Sequence, residues 1–407
     1  MRVEGKGSLT PSTASRTIVI AGAGIGGLTA ALALAKRRFH VIVVERAAQL
    51  EEVGAGIQLS PNASRILIEL GVDKHLAPHV VVPDDISVFA ARSGHEIVRI
   101  PIGDTISFRY GAPYWIVRRA DLQAALLAAV KQHPDIDLRL GSQLEDFAVH
   151  AKGVTVAQRK GIDRVTEQAV GLIGADGVWS TVRSRLFDQA RPQFCGHVAW
   201  RGVLNTDQLP REYRETRVRL WLGPNAHLVA YPMQGGRQLN IVAIVTSRWN
   251  RPGWNEDGDP KEIGIRFAPP RWPGAARLLI GTVGEWRRFA LFEVGDNPWC
   301  KGPVALLGDA AHAMLPFVAQ GAAMAIEDAA VLSQCLAEQP ANIPEALRHY
   351  AAKRKARVNR VRHAAESTGR IYHMQGLPAL ARNTTMRLFG GRRLLSRQDW
   401  IYDWRAS

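Results

Sequence analysis

The sequence predicts an α/β chain with a Rossmann-like dinucleotide-binding domain, an inserted antiparallel β-sheet domain for a substrate, and a C-terminal helical segment. Three observations carry this reading. A β-α-β unit near the start contains a glycine-rich turn. A Pro-, Gly- and Trp-rich block from about 192 to 289 has strand-like spacing and little helical periodicity. After that block the chain returns to a short apolar run, Val304 to Leu307, and an Ala-rich helix from about Gln320 to Glu338. Parallel strands joined by helices, interrupted by a β-rich insertion, make a discontinuous α/β protein with room for a ligand between its units.

The elements follow in order. Residues Met1 to Ser15 form a Ser/Thr/Gly-rich lead-in. The apolar run Thr17 to Ala21 reads as a buried strand, followed by a helix to Arg38 and a second strand, Val41 to Val44, ending at Glu45. ISVFAA and EIVRI flank Arg92-Ser93-Gly94-His95, a hairpin between Ile86 and Ile100. Asp121 to Gln132 (DLQAALLAAVKQ) reads as a helix with Asp121 as its N-cap. The expected division is 16–80, 105–190 and 285–345 for the nucleotide-binding domain, 81–104 and 191–284 for the β-sheet substrate domain, and 346–407 for the helical segment.

Composition narrows the function. The 407 residues are 46% hydrophobic and 22% charged, ordinary for a globular enzyme, with a formal net charge of +15. From Ala346 to Ser407 there are 14 Lys/Arg against 3 Asp/Glu, so most of the excess sits in the last stretch. That stretch is also rich in apolar residues, including Ile371, Leu388, Trp400 and Tyr402, and reads as packed helix with a solvated basic face. It carries no zinc-finger spacing and no RNP-type strand, so nucleic acid is not an expected partner. Its aromatic residues are compatible with a homodimer contact. Cys195, Cys300 and Cys335 lie far apart without CxxC spacing, which points to a reducing, cytoplasmic setting and away from a disulfide framework or zinc site. The apolar stretch Ile18 to Ala35 is broken by glycines at nucleotide-loop spacing, so no transmembrane segment is expected.

Gly22-Ala23-Gly24-Ile25-Gly26-Gly27 fits G-x-G-x-x-G between a strand and a helix. The first glycine permits the tight turn, the second lets backbone approach a pyrophosphate, and the third allows close helix-to-strand packing. Glu45, nineteen residues beyond Gly26 at the end of the second strand, is placed to accept hydrogen bonds from an adenosine ribose. Adenine dinucleotide binding follows, although the motif alone does not separate FAD from NAD. Two further segments put an Asp beside a glycine at a strand end: Gly174-Ala175-Asp176-Gly177, with Arg183 shortly after, and Leu307-Gly308-Asp309-Ala310-Ala311-His312. Such edges are where α/β folds bind ligands.

The ordered trio GAGIGG (22–27), GADGVWSTVR (174–183) and LGDAAHAMLPFVAQGAAMAIEDA (307–329) resembles the group A FAD-dependent aromatic hydroxylases of p-hydroxybenzoate hydroxylase-like fold. The salicylate hydroxylase, 3-hydroxybenzoate 6-hydroxylase and 6-hydroxynicotinate 3-monooxygenase types are the nearest, and the resemblance runs from about Thr17 to the tail. It implies non-covalent FAD in the Rossmann-like domain, NADH or NADPH as co-substrate, and hydroxylation of a small aromatic substrate with O2 through a flavin hydroperoxide, as in aromatic compound catabolism. By position, Glu45 would hold the adenosine ribose, with Arg46 flanking it or simply solvated. Arg119 would support the FAD, Gly308 and Asp309 would meet its ribityl and phosphate region, and Gly321 and Ala322 would sit near the flavin ring. Asp176 would belong to the motif linked to both FAD and NAD(P)H. The helix opening at Gln320 would turn free N–H groups and partial positive charge toward the reduced flavin.

In Pro224-Asn225-Ala226-His227-Leu228-Val229-Ala230-Tyr231, His227 and Tyr231 are four residues apart on a strand and so can face one cavity. The segment resembles the substrate strand of the 3-hydroxybenzoate and hydroxynicotinate enzymes, which would make His227 the base or hydrogen-bond partner of a phenol and Tyr231 its orienting group. His312 reads as positional rather than catalytic, and Cys195 as an inert thiol. The other histidines show no metal-ligand pattern. Pro316 and Phe317 are apolar where those relatives would be expected to carry a polar side chain, which predicts a more hydrophobic wall. Arg109, Tyr110 and Arg201 are candidates to hold a carboxylate, with a plain surface role the alternative for each. The rival readings are a same-fold monooxygenase acting on a non-acidic ring or alkene, urate-hydroxylase-like or epoxidase-like, and a flavin-binding protein without turnover.

Overall fold

A computed structural model describes residues 16–50, 56–188, 190–253 and 255–406. The lead-in 1–15 lies outside them. Strand Thr17–Ala21 is buried throughout. It pairs in parallel with His40–Glu45 on one side and Gly171–Gly174 on the other. Ile136–Leu140 and Val304–Leu306 extend the parallel sheet, and Cys300–Lys301 adds a short antiparallel edge. The strands Thr17–Ala21, Gly171–Gly174 and Val304–Leu306 are buried along their whole length because both faces of the sheet are covered there. One face carries helix α1 (Ile25–Ala35), whose Ala- and Gly-rich surface is buried almost all round. A three-stranded antiparallel sheet, Ser142–His150, Gly153–Lys160 and Asp163–Ala169, covers the other and contributes Val154 and Val156 to the same core.

Helix α2 (Arg119–Lys131) begins earlier than its sequence signals indicated. Its N-cap is Arg118, and Asp121 lies within the first turn, gripping Arg118 Nε at 2.8 Å and Nη2 at 2.5 Å. A carboxylate in the first turn suits the positive end of the helix as well as a capping position does, so composition alone could not fix the boundary.

The second large sheet has eight strands in the order Glu256–Gly258, Trp286–Glu293, Gln193–Asn205, Gln238–Thr246, Ala226–Met233, Arg217–Gly223, Asp85–Ala90, Glu96–Pro101. All neighbours are antiparallel except Arg217–Gly223 with Asp85–Ala90, which run parallel with Leu220 opposite Val88. The expected hairpin between 86 and 100 is the edge pair. One face packs Trp200, Leu228, Ala230, Ile241 and Trp286 against two short helices, Pro260–Arg266 and Gly274–Thr282. These helices correct the expectation of an all-strand block. At 7 and 9 residues they are too short for periodicity to register, although Asp259-Pro260 was a legible start signal: Asp259 accepts from Lys261 N. The other face of the sheet is turned toward the nucleotide-binding unit.

The tail is helical, as expected. After α3 (Gly321–Glu338) come α4 (Ile343–Tyr372) and α5 (Gly376–Ser396). On α4 the buried residues Leu347, Tyr350, Arg354, Val358, Val361 and Ala365 recur every three or four positions, while Lys353, Arg360 and Arg370 face solvent. Arg354 breaks the apolar stripe because it meets charge: Nε donates to Asp328 Oδ1 at 2.7 Å and Nη1 to Glu327 Oε2 at 2.6 Å, both on α3. Arg357 adds a second contact to Glu327 (2.8 Å) and donates to the carbonyls of Trp400 and Ile401. Among the described residues no helix is long and apolar enough to cross a membrane.

Removing one partner of a buried ion cluster strands the other charges in low dielectric. Arg354→Leu should therefore cost about 3–5 kcal/mol of stability, read as a lower midpoint in denaturant unfolding. An unchanged midpoint would show that α3 and α4 are held by apolar packing alone.

Candidate active site

A cavity of about 1090 Å³ runs between the parallel sheet and the inward face of the eight-stranded sheet. Single-ligand sites span roughly 300–1,000 Å³, so this space suits a large ligand with a smaller one beside it. Gly24 and Gly26 from the glycine loop, Arg119 from the start of α2, and Asp309 line one part of the wall. Gly321 and Ala322, opening α3, line it too.

The glycine loop owes its shape to close approaches. Gly22 has φ 106°, and a Cβ there would stand 2.5 Å from the Ala175 carbonyl oxygen. A Cβ on Gly27 would collide with the Gly22 carbonyl. Gly24 and Gly321 are different: each lines the cavity, yet a Cβ on either meets no neighbouring protein atom within 4 Å. Here glycine keeps free space along the wall rather than relieving a clash, as a ligand lying against backbone requires. Glu45 sits over the loop, accepting from Ala23 N at 2.8 Å and Ala47 N at 2.9 Å, while Gln123 on α2 holds the Ala23 carbonyl. Arg46 is exposed and does not line the cavity.

Asp176 turns away from the cavity. Its carboxylate accepts from Ser180 Oγ (2.5 Å), Thr181 N (2.7 Å) and Val182 N (3.1 Å), capping the helix Thr181–Leu186, and burial pushes its pKa up despite these bonds. The neighbours Ala175, Gly177, Val178 and Trp179 form the wall instead. Arg183, noted in sequence only as part of the motif, is fully buried and ties two segments together: it donates to the carbonyls of Val178, Ala190 and Ala310.

At the other strand end Gly308 takes φ 61°, its N–H donates to Asp328 Oδ2 at 3.0 Å, and His312 Nε2 lies 2.6 Å from the same oxygen. Burial raises the Asp328 pKa, but His312 and Arg354 outweigh it and draw it down to about 2. His312 is buried behind the loop and does not line the cavity. The opening of α3 is held from the side: Gln320 donates to Ser60 Oγ at 2.8 Å, and Asn62 donates to Gln320 and to Glu327.

The opposite wall is the sheet. Alternation puts Ala199 and Arg201, Val242 and Ile244, and His227, Val229 and Tyr231 on one face. His227 is 2% exposed, with its Nδ1 2.9 Å from His373 Nε2. Burial first, then His373 and His197, push its pKa well below the usual imidazole range. Tyr231 donates its hydroxyl to the Gly56 carbonyl at 2.8 Å, and burial raises its pKa to about 12, so the phenol stays neutral. Ile86, Val88, Ile100, Leu220, Pro316 and Phe317 make the rest of this end apolar. Arg201 sits 4.3 Å over the Phe289 ring, and burial draws its pKa down to about 10. The structure takes Arg109 and Tyr110 away from the site. Both are bound to Asp399 (2.6 Å each) and neither lines the cavity. Cys195 also lies off the cavity, its thiol pKa raised by burial. Among the described residues no group of three or more His, Cys, Asp and Glu is arranged to hold a metal.

Comparison with known proteins agrees with the geometry. The FAD binding domain family matches residues 15–365. The chain is 34% identical over 401 residues to a 3-hydroxybenzoate 6-hydroxylase of Polaromonas naphthalenivorans (strain CJ2), covering 97% of this chain and 98% of that one. It is 35% identical over 371 residues to the 3-amino-4-hydroxybenzoate 2-monooxygenase PtnB3 of Streptomyces platensis, covering 90% and 91%. A salicylate hydroxylase substrate complex superposes with TM-score 0.80 at 24% identity, covering 97% of each chain, a likeness of fold. The residues present fit FAD: a glycine cradle open to the cavity and a helix N-terminus at Gly321, with the Glu45 carboxylate held against the glycine loop by Ala23 N and Ala47 N.

Because the space over Gly24 is open to the cavity rather than to a neighbour, Gly24→Val should fold and yet lose FAD. The purified variant should carry less than a tenth of the wild-type flavin absorbance, with an unchanged far-UV spectrum. Full flavin content would mean the cofactor does not pass this loop.

Proposed function

The chain belongs to the FAD binding domain family, among the group A flavoprotein aromatic hydroxylases, and on that premise we propose that it hydroxylates a phenolic or heteroaromatic acid. The overall reaction consumes NAD(P)H, a proton and O2, replaces one ring C–H by C–OH, and releases NAD(P)+ and water. Bound FAD supplies the redox chemistry, taking two electrons from the nicotinamide and delivering one oxygen atom to the ring. The observation that carries the reading is one cavity whose wall joins the glycine loop, Asp309 and the α3 N-terminus to a sheet face bearing His227 and Tyr231.

The protein's share is binding, water exclusion and proton handling. Gly22, Gly24, Gly26 and Gly27 bring the α1 N-terminus to the pyrophosphate, Glu45 takes the adenosine ribose, and Arg46 stays at its solvent edge. Arg119, Gly308 and Asp309 hold the middle of the cofactor. Gly321 and Ala322 offer N–H groups to the flavin ring, where helix polarity favours negative charge. Asp176 acts by shaping the 174–180 turn through its cap. His227 takes the phenolic proton, raising electron density on the ring. It is neutral near pH 7 because burial disfavours the imidazolium, so its lone pair is free. Tyr231 orients the ring and can accept a hydrogen bond, its proton already committed to Gly56. Arg201, on the same sheet face and in no ion pair with a carboxylate among the described residues, supports an acidic substrate.

The same reading divides the chain into an FAD-binding domain (16–80, 105–190, 285–345), a substrate domain (81–104, 191–284) and a helical segment (346–407), except that Trp286–Glu293 belongs by its pairing to the sheet of the substrate domain. Free thiols at Cys195, Cys300 and Cys335 support a cytoplasmic setting. Exposed Leu377, Leu380 and Leu388 on α5 support a homodimer contact.

The test is a panel of hydroxybenzoates, aminohydroxybenzoates and hydroxynicotinates with their amides, scored by stimulated NADH and NADPH oxidation and by product mass. An acid should stimulate oxidation and gain one oxygen, and its amide should not. Flavin-bearing protein that no aromatic acid stimulates would refute the reading. With the best acid, His227→Ala should lower kcat by about 10²–10⁴-fold while flavin content holds. Unchanged turnover would remove His227 from the chemistry.

A further inference from the structure

His227 does not stand alone at the wall. Its Nδ1 is 2.9 Å from Nε2 of His373, the C-cap residue just beyond α4. The backbone fixes this meeting: His373 N donates to Gly369 O at 3.1 Å, and its carbonyl accepts from Asn225 N, two residues before His227. The two imidazoles differ in setting. His227 is buried, whereas His373 is only half-buried at the rim where α4 gives way to the turn before α5.

A neutral imidazole has one N–H and one lone pair, so a nitrogen-to-nitrogen hydrogen bond requires one ring to donate and the other to accept. If His227 donated through Nε2 toward the cavity, it could not also take a proton from a phenol. With Nδ1 engaged by His373, Nε2 is the nitrogen left for the substrate. We propose that His373 is a positioning residue for the hydroxylation: it accepts the Nδ1 proton of His227, fixes the tautomer whose Nε2 lone pair meets the phenol, and passes the displaced proton to solvent. This rests on the reading of His227 as the phenol's base.

The proton balance closes. The phenolic O–H proton goes to His227 Nε2, the Nδ1 proton of His227 goes to His373 Nε2, and the Nδ1 proton of His373 goes to water, leaving phenolate and two neutral rings. When the product oxygen takes its proton back from His227 Nε2, the chain runs in reverse and restores both tautomers. The surroundings favour transfer over storage of charge. His197 on Gln193–Asn205 lies 5.5 Å from His373, ring to ring, and Arg382 on α5 and the neutral Tyr372 are its other neighbours. Burial, His197 and Arg382 draw the His373 pKa down to about 4. Neither ring holds a second proton at neutral pH, so a proton arriving at one nitrogen is matched by one leaving from another.

The test uses the FAD-loaded enzyme and the panel acid that drives the fastest NAD(P)H oxidation. Stopped-flow mixing without NAD(P)H, with a pH indicator in weak buffer, reads proton release, and phenolate absorbance reads ionisation of the bound acid. Wild type should release about one proton per acid bound. His373→Gln, whose amide can still accept from His227 Nδ1 but cannot relay, should bind the acid within about threefold of wild type and release the proton at least tenfold more slowly. His373→Ala should be equally slow, and added imidazole should restore its rate, which a purely structural role would not allow. Wild-type release rates in both variants would overturn the relay while leaving the hydroxylase reading intact. Wild type that ionises no phenolic acid would remove the base role and the relay together.

Discussion

Two adjacent carboxylates on α3, Glu327 and Asp328, are both wholly buried, and the rest of the molecule is arranged around keeping them paired. Asp328 gathers Gly308 N, His312 and Arg354, so it binds the strand-end loop to the tail in one contact set. Glu327 gathers Asn62, Arg354 and Arg357, and Arg357 in turn holds the carbonyls of Trp400 and Ile401. Buried ion pairs are weak sources of net stability, since desolvation consumes most of the attraction, but they are intolerant of misplacement. The cluster therefore acts on position: it sets the rotation and depth of α3, whose first turn faces the cavity.

The opposing wall obeys a different rule. Strand alternation sends Trp200, Leu228 and Ile241 to a packed core behind the sheet and sends Arg201, Val242, His227 and Tyr231 forward. A one-residue slip would exchange the two sets completely, so the bulky back face protects the placement of the polar groups in front. The front is mostly aliphatic, and its few polar groups gain strength from that dryness. Tyr231 remains a neutral phenol and His227 a neutral imidazole for the same reason, the cost of charge away from water.

Much of this was legible in the chain because it depends on local rules. The glycine loop, Glu45 at the strand end, the strand Thr17–Ala21 and the same-side placement of His227 and Tyr231 all follow from spacing within a few residues. What escaped depends on distance or brevity. The helices at 260–266 and 274–282 were too short to show a period. Arg109 and Tyr110 looked available for a substrate only because Asp399, far along the chain, is their partner. The meeting of His373 with His227 joins residues 146 apart through a helix end, and no motif announces it. Asp176 carried a recognisable motif, but its side chain serves the turn, a distinction only coordinates make.

The position of Trp400 and Tyr402 in the cavity wall bears on how the molecule comes into being. Residues from Gly24 to Tyr402 enclose one space, and Arg65 near the start holds the Trp404 carbonyl at 2.8 Å. During synthesis the nucleotide-binding strands emerge before the tail, and the chamber stays open on one side until Trp400 and Tyr402 have left the ribosome. Closure of the chamber thus waits on Trp400 and Tyr402, and a nascent chain stalled in α5 would present a greasy, half-walled groove to chaperones rather than a working vessel.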